Sequence, residues 1–200
     1  MNASHSSAPV EHFFRHESAS LIAVLTRAFG ISRIDLVEDG VQAAMLEAMN
    51  AWKKGVPDNP AAWIHKVARN RVLDALRREK VHDRALAFAG LSTDASAALV
   101  DEWLDEAQVP DSLLRMMFVC CHPSLDRASQ IALTLKILGG FGVHEISRGL
   151  LISTEAVKKR IQRGKKQLAG ASVTADLPPA DELHSRLDAV HDVLYLIFNE

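Results

Sequence analysis

The chain has 200 residues, of which 48% are hydrophobic, and its 25 acidic and 23 basic side chains give a net charge of −2. This composition is typical of a soluble, folded chain of one domain or two small ones. No apolar run approaches the roughly 18 residues that a membrane span needs, and the polar start MNASHSSAP lacks the apolar core of a signal peptide. We therefore expect a cytoplasmic protein with no membrane partner. The two cysteines are adjacent and cannot build a disulfide framework.

Apolar residues recur at helical spacing along the chain and never in sustained alternation, which predicts an all-α fold. After a disordered start over residues 1–9, a first helix is predicted from Glu11 to Phe29, stopped by Gly30. A second helix is predicted to begin at Asp35, with Glu38 as the other half of a capping-box-like pair, and its apolar stripe runs on to Trp52.

A third helix is predicted from Pro60 to about Lys80, capped by Asn59. Its polar side combines a tryptophan, an amide and several cations, which suits holding phosphates and stacking on an unpaired base. These residues are Trp63, Lys66, Asn70, Asp74 and Arg77. The spacing fits Trp63 equally well as a core residue.

Charge is segregated along the chain. Residues 63–86 carry seven cations and three anions, residues 91–114 carry six anions and no Lys or Arg, and residues 155–168 carry six cations and one anion. Local clusters of cations can bind nucleic acid in a nearly neutral chain because phosphate neutralisation is local. The acidic segment between the basic ones predicts an interdomain linker containing a weak helix.

Helical spacing resumes at Leu113, is broken at Pro123 and restarts at Ser129. The triplet Cys120-Cys121-His122 does not have the spacing of a zinc site, and no second group of ligands stands nearby. Buried, reduced thiols are the better interpretation, so we predict no metal. No phosphate-binding loop or nucleophile–base pattern indicates an enzyme, so we predict no cofactor and no catalytic residue.

The stretch from His144 to Leu168 predicts two short helices joined by a turn at Leu151–Ser153, with Ser153 capping the second. The second helix has one apolar stripe and an opposite cationic face. The apolar residues are Val157, Ile161, Gly164 and Leu168, and the other face carries Glu155, Lys158, Lys159, Gln162, Arg163 and Lys166. This pattern is typical of a helix-turn-helix whose second helix enters a DNA major groove. The alternative is a solvated, lysine-rich helix on an ordinary globular protein.

Beyond Leu168 a second linker precedes a helix predicted over Asp181 to Glu200. Its apolar stripe needs a partner surface. Either it docks on the rest of the chain or it begins a further domain.

Together these segments resemble the extracytoplasmic-function (ECF) sigma factors, which are initiation subunits of bacterial RNA polymerase. LVEDGVQAAMLEAMNAW is similar to the family's polymerase-binding segment, with Gly40 in place of the usual Leu. NPAAWIHKVARNRVLDALRRE is similar to its promoter-melting segment, and HEISRGLLISTEAVKKRIQRGKKQL to its helix-turn-helix, with Leu151 where the family usually has the turn glycine. HESASLIA, FVCCHPSL and VLYLIFNE resemble a subgroup with a long C-terminal helical extension.

The resemblance implies an N-terminal stretch (1–9), sigma region 2 (10–86), a linker (87–112), sigma region 4 (113–170), and a linker with the first helix of an extension (171–200). It implies that the chain binds the clamp and flap regions of core RNA polymerase and promoter DNA, and that it works at the nucleoid. It also implies regulation by an anti-sigma factor or by the extension itself. The implied polymerase-binding residues are Glu38, Asp39, Val41 and Gln42. The implied minus-ten residues are Trp63, Lys66, Asn70, Asp74, Arg77 and Arg78, and the implied minus-thirty-five residues are Ser153, Glu155, Lys158, Lys159, Gln162, Arg163 and Lys166.

Three other functions compete with this interpretation. A conventional dimeric helix-turn-helix regulator would leave the second basic helix unexplained. An enzyme would need a catalytic arrangement that the sequence lacks. A protein that chiefly binds polymerase is the third alternative, and Lys159→Ala plus Arg163→Ala tests it, because the sigma interpretation expects promoter selectivity to collapse while core binding persists.

Overall fold

A computed structural model describes residues 7–82, 100, 104, 108–171 and 173–198. These residues contain no β-strand, and the predicted all-α class is confirmed. The helices are α1 (Ser7–Phe29), α2 (Ile34–Ala51), α3 (Pro60–His82), α4 (Val109–Cys120), α5 (Arg127–Ile137), α6 (Val143–Gly149), α7 (Thr154–Gly170) and α8 (Ala180–Phe198). Short 3-10 turns cover Ile31–Arg33 and Trp52–Lys54. No helix of the described residues is long and apolar enough to cross a membrane.

The helix starts differ from the sequence predictions at two places. α1 begins at Ser7 and so includes residues that we predicted to be disordered. α2 begins at Ile34, and its N-cap residue Arg33 makes no side-chain capping hydrogen bond. The predicted capping pair of Asp35 and Glu38 is therefore wrong, and both carboxylates bind Lys165 instead.

α2 and α3 pack closely because Gly40 has no side chain. A Cβ at Gly40 would lie 2.6 Å from Val72 Cγ2, a residue that is itself fully buried. The α3 N-terminus is fixed as predicted, since Asn59 Oδ1 accepts a hydrogen bond from the Ala62 backbone N–H at 3.0 Å. The basic side chains of α3 are thus carried on a closely packed helix pair.

The second half of the chain begins its regular structure earlier than predicted, at Val109, and α5 begins at Arg127 instead of Ser129. Asp126 caps α5, and its Oδ1 accepts from the Ser129 backbone N–H at 2.8 Å. That backbone hydrogen bond lowers the pKa of the Asp126 carboxyl group. The predicted acidic linker lies mostly outside the described residues, although Val100 is described and is buried in the core.

One continuous buried cluster joins the helices of the first half to those of the second. Leu21 and Val24 of α1, Val41 of α2, and Leu133 and Leu168 of the second half all belong to it. Arg27 on α1 extends this contact, because its Nη1 lies 3.1 Å from Asp111 Oδ2 at the start of α4. The two predicted regions therefore share a core in this structure.

The C-terminal helix α8 docks on the rest of the chain, which was one of the two predicted outcomes. Val190 and Val193 are buried in a second cluster with Phe118 and Cys121, beside α4 and α5. Arg127 also binds Asp192 across this contact.

Candidate nucleic-acid interface

The turn between α6 and α7 is tight and is held by side-chain hydrogen bonds. Ser153 Oγ accepts a hydrogen bond from the Ala156 backbone N–H at 3.1 Å, so the predicted cap is confirmed. Ser147 Oγ donates to the Ile152 carbonyl and closes the turn from the other side. Leu151 has φ 54°, a left-handed conformation that glycine adopts more readily, and its side chain is 91% exposed. The turn keeps its shape without the usual glycine.

The helix α7, which we call the recognition helix, separates an apolar face from a cationic one. All four residues of the predicted apolar stripe are buried. Gly164 allows the closest approach, since a Cβ there would lie 2.5 Å from Leu133 Cδ1 on α5. The predicted DNA-facing side chains are all exposed: Glu155, Lys158, Lys159, Gln162, Arg163 and Lys166. The buried glycine lets the helix pack closely on α5, while the cations face outward.

Two of these exposed cations form ion pairs within the second half of the chain. Lys159 Nζ lies 2.9 Å from Glu155 Oε1 one turn earlier, and Arg163 Nη1 lies 3.6 Å from Asp126 Oδ2. Exposed pairs of this kind contribute at most about 1 kcal/mol, so phosphates can compete for the same cations. Both cations stay exposed while paired.

Lys165 behaves differently from its neighbours on the recognition helix. Its Nζ lies 2.6 Å from Asp35 Oδ1 and also bonds Glu38 at the start of α2. Burial alone would lower the pKa of the Lys165 ammonium group, but the two carboxylates outweigh it and the pKa is raised. Lys165 is therefore a charged group directed toward the first half of the chain.

The predicted minus-ten face of α3 is formed by exposed side chains. Lys66, Asn70, Asp74, Arg77 and Arg78 all face outward. Arg77 Nη1 lies 3.3 Å from Asp74 Oδ1, so the acidic member of the face orients a cation. The buried members of the same helix, such as Ile64 and Ala68, face α1 and α2. The structure thus brings these side chains together on one helix surface.

Trp63 is neither a full core residue nor a free surface residue. Its ring packs edge-on against Trp52, with the ring centroids 5.8 Å apart, and remains partly exposed. Trp52 stacks in turn on Phe14 at 5.6 Å. An aromatic cluster supports Trp63 from behind, and one part of its ring stays accessible beside the polar face of α3.

The predicted polymerase-binding residues divide into exposed and covered positions. Asp39 and Gln42 are exposed, whereas Val41 is buried and supports the helix from inside. The side chain of Glu38 is only 14% exposed because Lys165 covers it. The structure therefore does not place all four residues on one accessible face.

Two exposed apolar residues that we did not predict continue the face of Asp39 and Gln42. Leu46 and Met49 are 56% and 57% exposed, and they lie four and seven residues after Gln42. Residues at this spacing share a helix face. The signal was available in the sequence as two large apolar side chains outside the buried stripe.

Cys120 and Cys121 are buried and their side chains are not arranged around a common centre. Cys121 Sγ lies 4.0 Å from Thr134 Oγ1, and burial raises the pKa of both thiols. His122 Nδ1 instead pairs with Ser124 Oγ at 2.8 Å. Raised thiol pKa values disfavour the thiolate that a metal would bind. The described residues contain no group of three or more His, Cys, Asp or Glu side chains suited to a metal ion.

Comparisons with known proteins match both halves of the chain. Residues 13–81 match Sigma-70 region 2, and residues 115–168 match Sigma-70 region 4. An uncharacterized protein of Rhizobium meliloti (strain 1021) is 39% identical over 171 residues, which cover 84% of this chain and 40% of that protein. The chain thus spans less than half the length of this relative. No solved structure matches the chain.

The two matched regions define the class of protein. α1 to α3 form region 2 and carry the exposed face of Trp63 to Arg78, and α4 to α7 form region 4 and carry the recognition helix. The chain belongs to the sigma-70 family, in the region 2 and region 4 arrangement of the extracytoplasmic-function type.

Proposed function

We propose that this chain directs core RNA polymerase to promoters, with α3 holding the opened minus-ten element and the recognition helix reading the minus-thirty-five element. The observation that carries the proposal is the sidedness of the recognition helix. Its four apolar residues are buried on α5 and α6, while every predicted DNA-facing side chain is exposed. The two sigma regions supply the context in which such a helix reads promoter DNA.

The recognition helix supplies both base contacts and phosphate contacts. Lys158, Lys159, Gln162 and Arg163 extend from its first three turns, the part that enters the major groove in a helix-turn-helix. Lysine and arginine donate hydrogen bonds to the acceptor atoms of guanine, and glutamine forms hydrogen bonds with adenine. This set of side chains can therefore discriminate between bases. Lys166 lies further along and is placed to contact phosphate, which fixes position without specifying sequence.

α3 binds a single strand by a different chemistry. Its exposed Lys66, Arg77 and Arg78 can follow a phosphate backbone, and Asn70 can donate to or accept from a base edge. The partly exposed ring of Trp63, supported by Trp52, offers a flat surface against which a base can stack. Such stacking contributes about 1–3 kcal/mol per base.

The exposed face of α2 is the proposed contact with the polymerase clamp. Asp39 and Gln42 supply polar groups, and Leu46 and Met49 supply exposed apolar area on the same helix face. Val41 contributes by holding the helix on the core. This assignment moves the centre of the predicted surface toward the C-terminal half of α2.

We also propose that α8 is the first helix of a C-terminal extension. The relative that matches this chain is more than twice as long, and α8 already packs on α4 and α5 through Val190 and Val193. We expect regulation through this extension or through a separate anti-sigma protein.

Run-off transcription with purified core polymerase tests the proposed function. In the double variant Lys159→Ala with Arg163→Ala, the preference for the matching promoter over others should fall by about tenfold to a hundredfold or more. Each base contact accounts for about 1–3 kcal/mol. Its affinity for core polymerase should stay unchanged. Gln167→Ala, an exposed substitution on the same helix outside the predicted set, is the matched control.

Two results would reject the proposal. One is the absence of any promoter-specific transcript from the unmodified chain with core polymerase. The other is a symmetric footprint on palindromic DNA formed without polymerase, which would instead support a conventional dimeric regulator.

A further inference from the structure

A row of alternating charges connects the recognition helix to α8 across the start of α5. Arg163 of the recognition helix pairs with Asp126, and the next residue along the chain, Arg127, pairs with Asp192 of α8. The Arg127 Nη2 atom also donates to the Asp188 carbonyl at 3.2 Å. An arginine that does not belong to the predicted DNA-facing set thus lies beside a member of that set.

Arg127 lies at the distance from Arg163 at which the DNA backbone borders a groove. The Arg163 Nη1 atom is 3.6 Å from Asp126 Oδ2, and consecutive Cα atoms are about 3.8 Å apart. With the length of the aspartate side chain included, the Arg127 Cα is within roughly 11 Å of the Arg163 guanidinium group. The major groove is about 12 Å wide, so phosphates lie within this range of a side chain that reads base edges.

The oxygen atoms around Arg127 resemble the partners that a phosphate supplies. A guanidinium group presents several N–H donors in one plane, and it pairs with carboxylate and phosphate alike. Two oxygens of α8, from Asp188 and Asp192, bind Arg127 in this structure. The side chains of Arg127 and Asp192 are 37% and 68% exposed, so their ion pair is weak and another anion can replace Asp192.

A buried glutamine orients Arg127 independently of α8. Gln130 is buried, and its Nε2 atom donates to the carbonyls of Cys121 and His122 at 3.2 and 3.1 Å. The Gln130 Oε1 atom accepts a hydrogen bond from Arg127 Nη1 at 3.3 Å. Because α8 takes no part in these contacts, Arg127 keeps this support when its partner changes.

We propose that Arg127 is a DNA-backbone contact of region 4, and that α8 competes with DNA for it through Asp192. The inference rests on the proposed function, because it adds a phosphate contact beside the helix that reads the minus-thirty-five element. Such a contact fixes the register of the recognition helix on the duplex without specifying sequence.

The charge of α8 makes it a competitor of DNA. Residues 181–195 contain four acidic side chains and one arginine, which gives a net charge of −3 with histidine neutral. A phosphate that binds Arg127 displaces Asp192, so α8 lowers the affinity of region 4 for a duplex. Movement of α8 away from α5 therefore strengthens promoter binding.

The salt dependence of promoter binding tests the contact. With the chain bound to core polymerase, the fluorescence anisotropy of a labelled double-stranded promoter gives the binding constant at several salt concentrations. The logarithm of this constant falls with the logarithm of the salt concentration, with a slope of about 0.9 for each phosphate contacted. Arg127→Gln should reduce this slope by about one and weaken matched and scrambled minus-thirty-five elements by the same factor.

Two variants and a modified backbone separate a phosphate contact from a structural role. Arg127→Lys, which keeps the charge, should restore most of the slope. Lys136→Gln, at the other end of α5, should leave the slope unchanged. Single neutral methylphosphonate groups, placed in turn along both strands at the minus-thirty-five element, should reveal one position that weakens binding by the wild type and not by Arg127→Gln.

Asp192→Asn tests the competition by α8. It should tighten promoter binding by up to about fivefold, the strength of an exposed ion pair, and should have no effect when Arg127→Gln is also present. Asp181→Asn makes the same charge change at the exposed start of α8, about 16 Å along the helix. It should leave the affinity unchanged, because that distance is about twice the Debye length.

Three outcomes decide between the possibilities. An unchanged salt slope for Arg127→Gln, in a variant that stays helical by circular dichroism, overturns the contact. If Asp192→Asn binds no more tightly than the wild type, or gains as much beside Arg127→Gln, the competition by α8 is wrong; this variant tests the site even if Arg127→Gln does not fold. If the wild-type holoenzyme prefers no promoter, the proposed function fails, while the salt slope on any duplex still decides whether Arg127 contacts the backbone.

Discussion

Replacing Leu151 by glycine should stabilise the protein, although most substitutions destabilise proteins. Leu151 has φ 54°, and the left-handed region costs a residue with a Cβ about 1–2 kcal/mol. Glycine avoids this cost but loses about 0.5–1 kcal/mol of additional backbone entropy on folding. The Leu151 side chain is 91% exposed, so its removal sacrifices little packing. We expect Leu151→Gly to raise the free energy of unfolding by about 0.5–1 kcal/mol.

Urea and thermal unfolding, followed by circular dichroism, measure this change. For a chain of this size the expected gain corresponds to a rise of about 1–4 °C in Tm. Leu151→Ala is the control, because alanine keeps the strained φ and should remain within about 0.5 kcal/mol of the wild type. The reasoning is refuted if Leu151→Gly lowers the stability, or if Leu151→Ala stabilises the chain as much as glycine does.

Two further substitutions test packing and charge. Gly164→Ala should cost about 1–3 kcal/mol in urea unfolding, because its Cβ would meet the buried Leu133, whereas Gly170→Ala, with open space around it, should be neutral or slightly stabilising. Glu17 lies 2.7 Å from His65, and that hydrogen bond lowers the pKa of the Glu17 carboxyl group. Ionised Glu17 thus adds stability above its ordinary pKa near 4.5, and the addition is lost as the pH falls through the lowered value. The advantage of wild type over Glu17→Gln, about 1.5 kcal/mol at pH 6, should vanish in acid unfolding series, and an advantage that persists below pH 3 would contradict the assignment.

Local patterns in the sequence were sufficient to predict most of the helices. They were also sufficient to predict that the recognition helix has one apolar and one cationic face. Asn59 and Ser153 cap their helices as predicted, because a capping side chain acts on a backbone N–H only three residues away. The apolar stripe of Val157 to Leu168 was predictable for the same reason, since residues on one helix face repeat with a fixed period. These features depend on contacts within a few residues.

Contacts between distant segments were not predictable in this way. Asp35 and Glu38 have the spacing of a capping pair, but in the structure both bind a lysine about 130 residues further along the chain. The close crossing of α2 and α3 depends on Gly40 facing Val72, which no local pattern indicates. These contacts join residues that are far apart in the chain. A single sequence does not indicate which distant residues will be in contact.

The position of Lys165 on the helix explains why this cation pairs with carboxylates of α2, whereas the neighbouring Lys166 is exposed. With 3.6 residues per turn, Lys165 lies about 40° around the helix from the buried Ile161, whereas Lys166 lies about 140° from it. A lysine at the border of an apolar stripe can cover the edge of the core with its aliphatic chain and place its ammonium group on a neighbouring helix. Glu38 lies about 40° from the buried Ile34 by the same geometry, so both partners stand at the edges of their buried stripes. Two border residues of opposite charge meet when the stripes pack on one core.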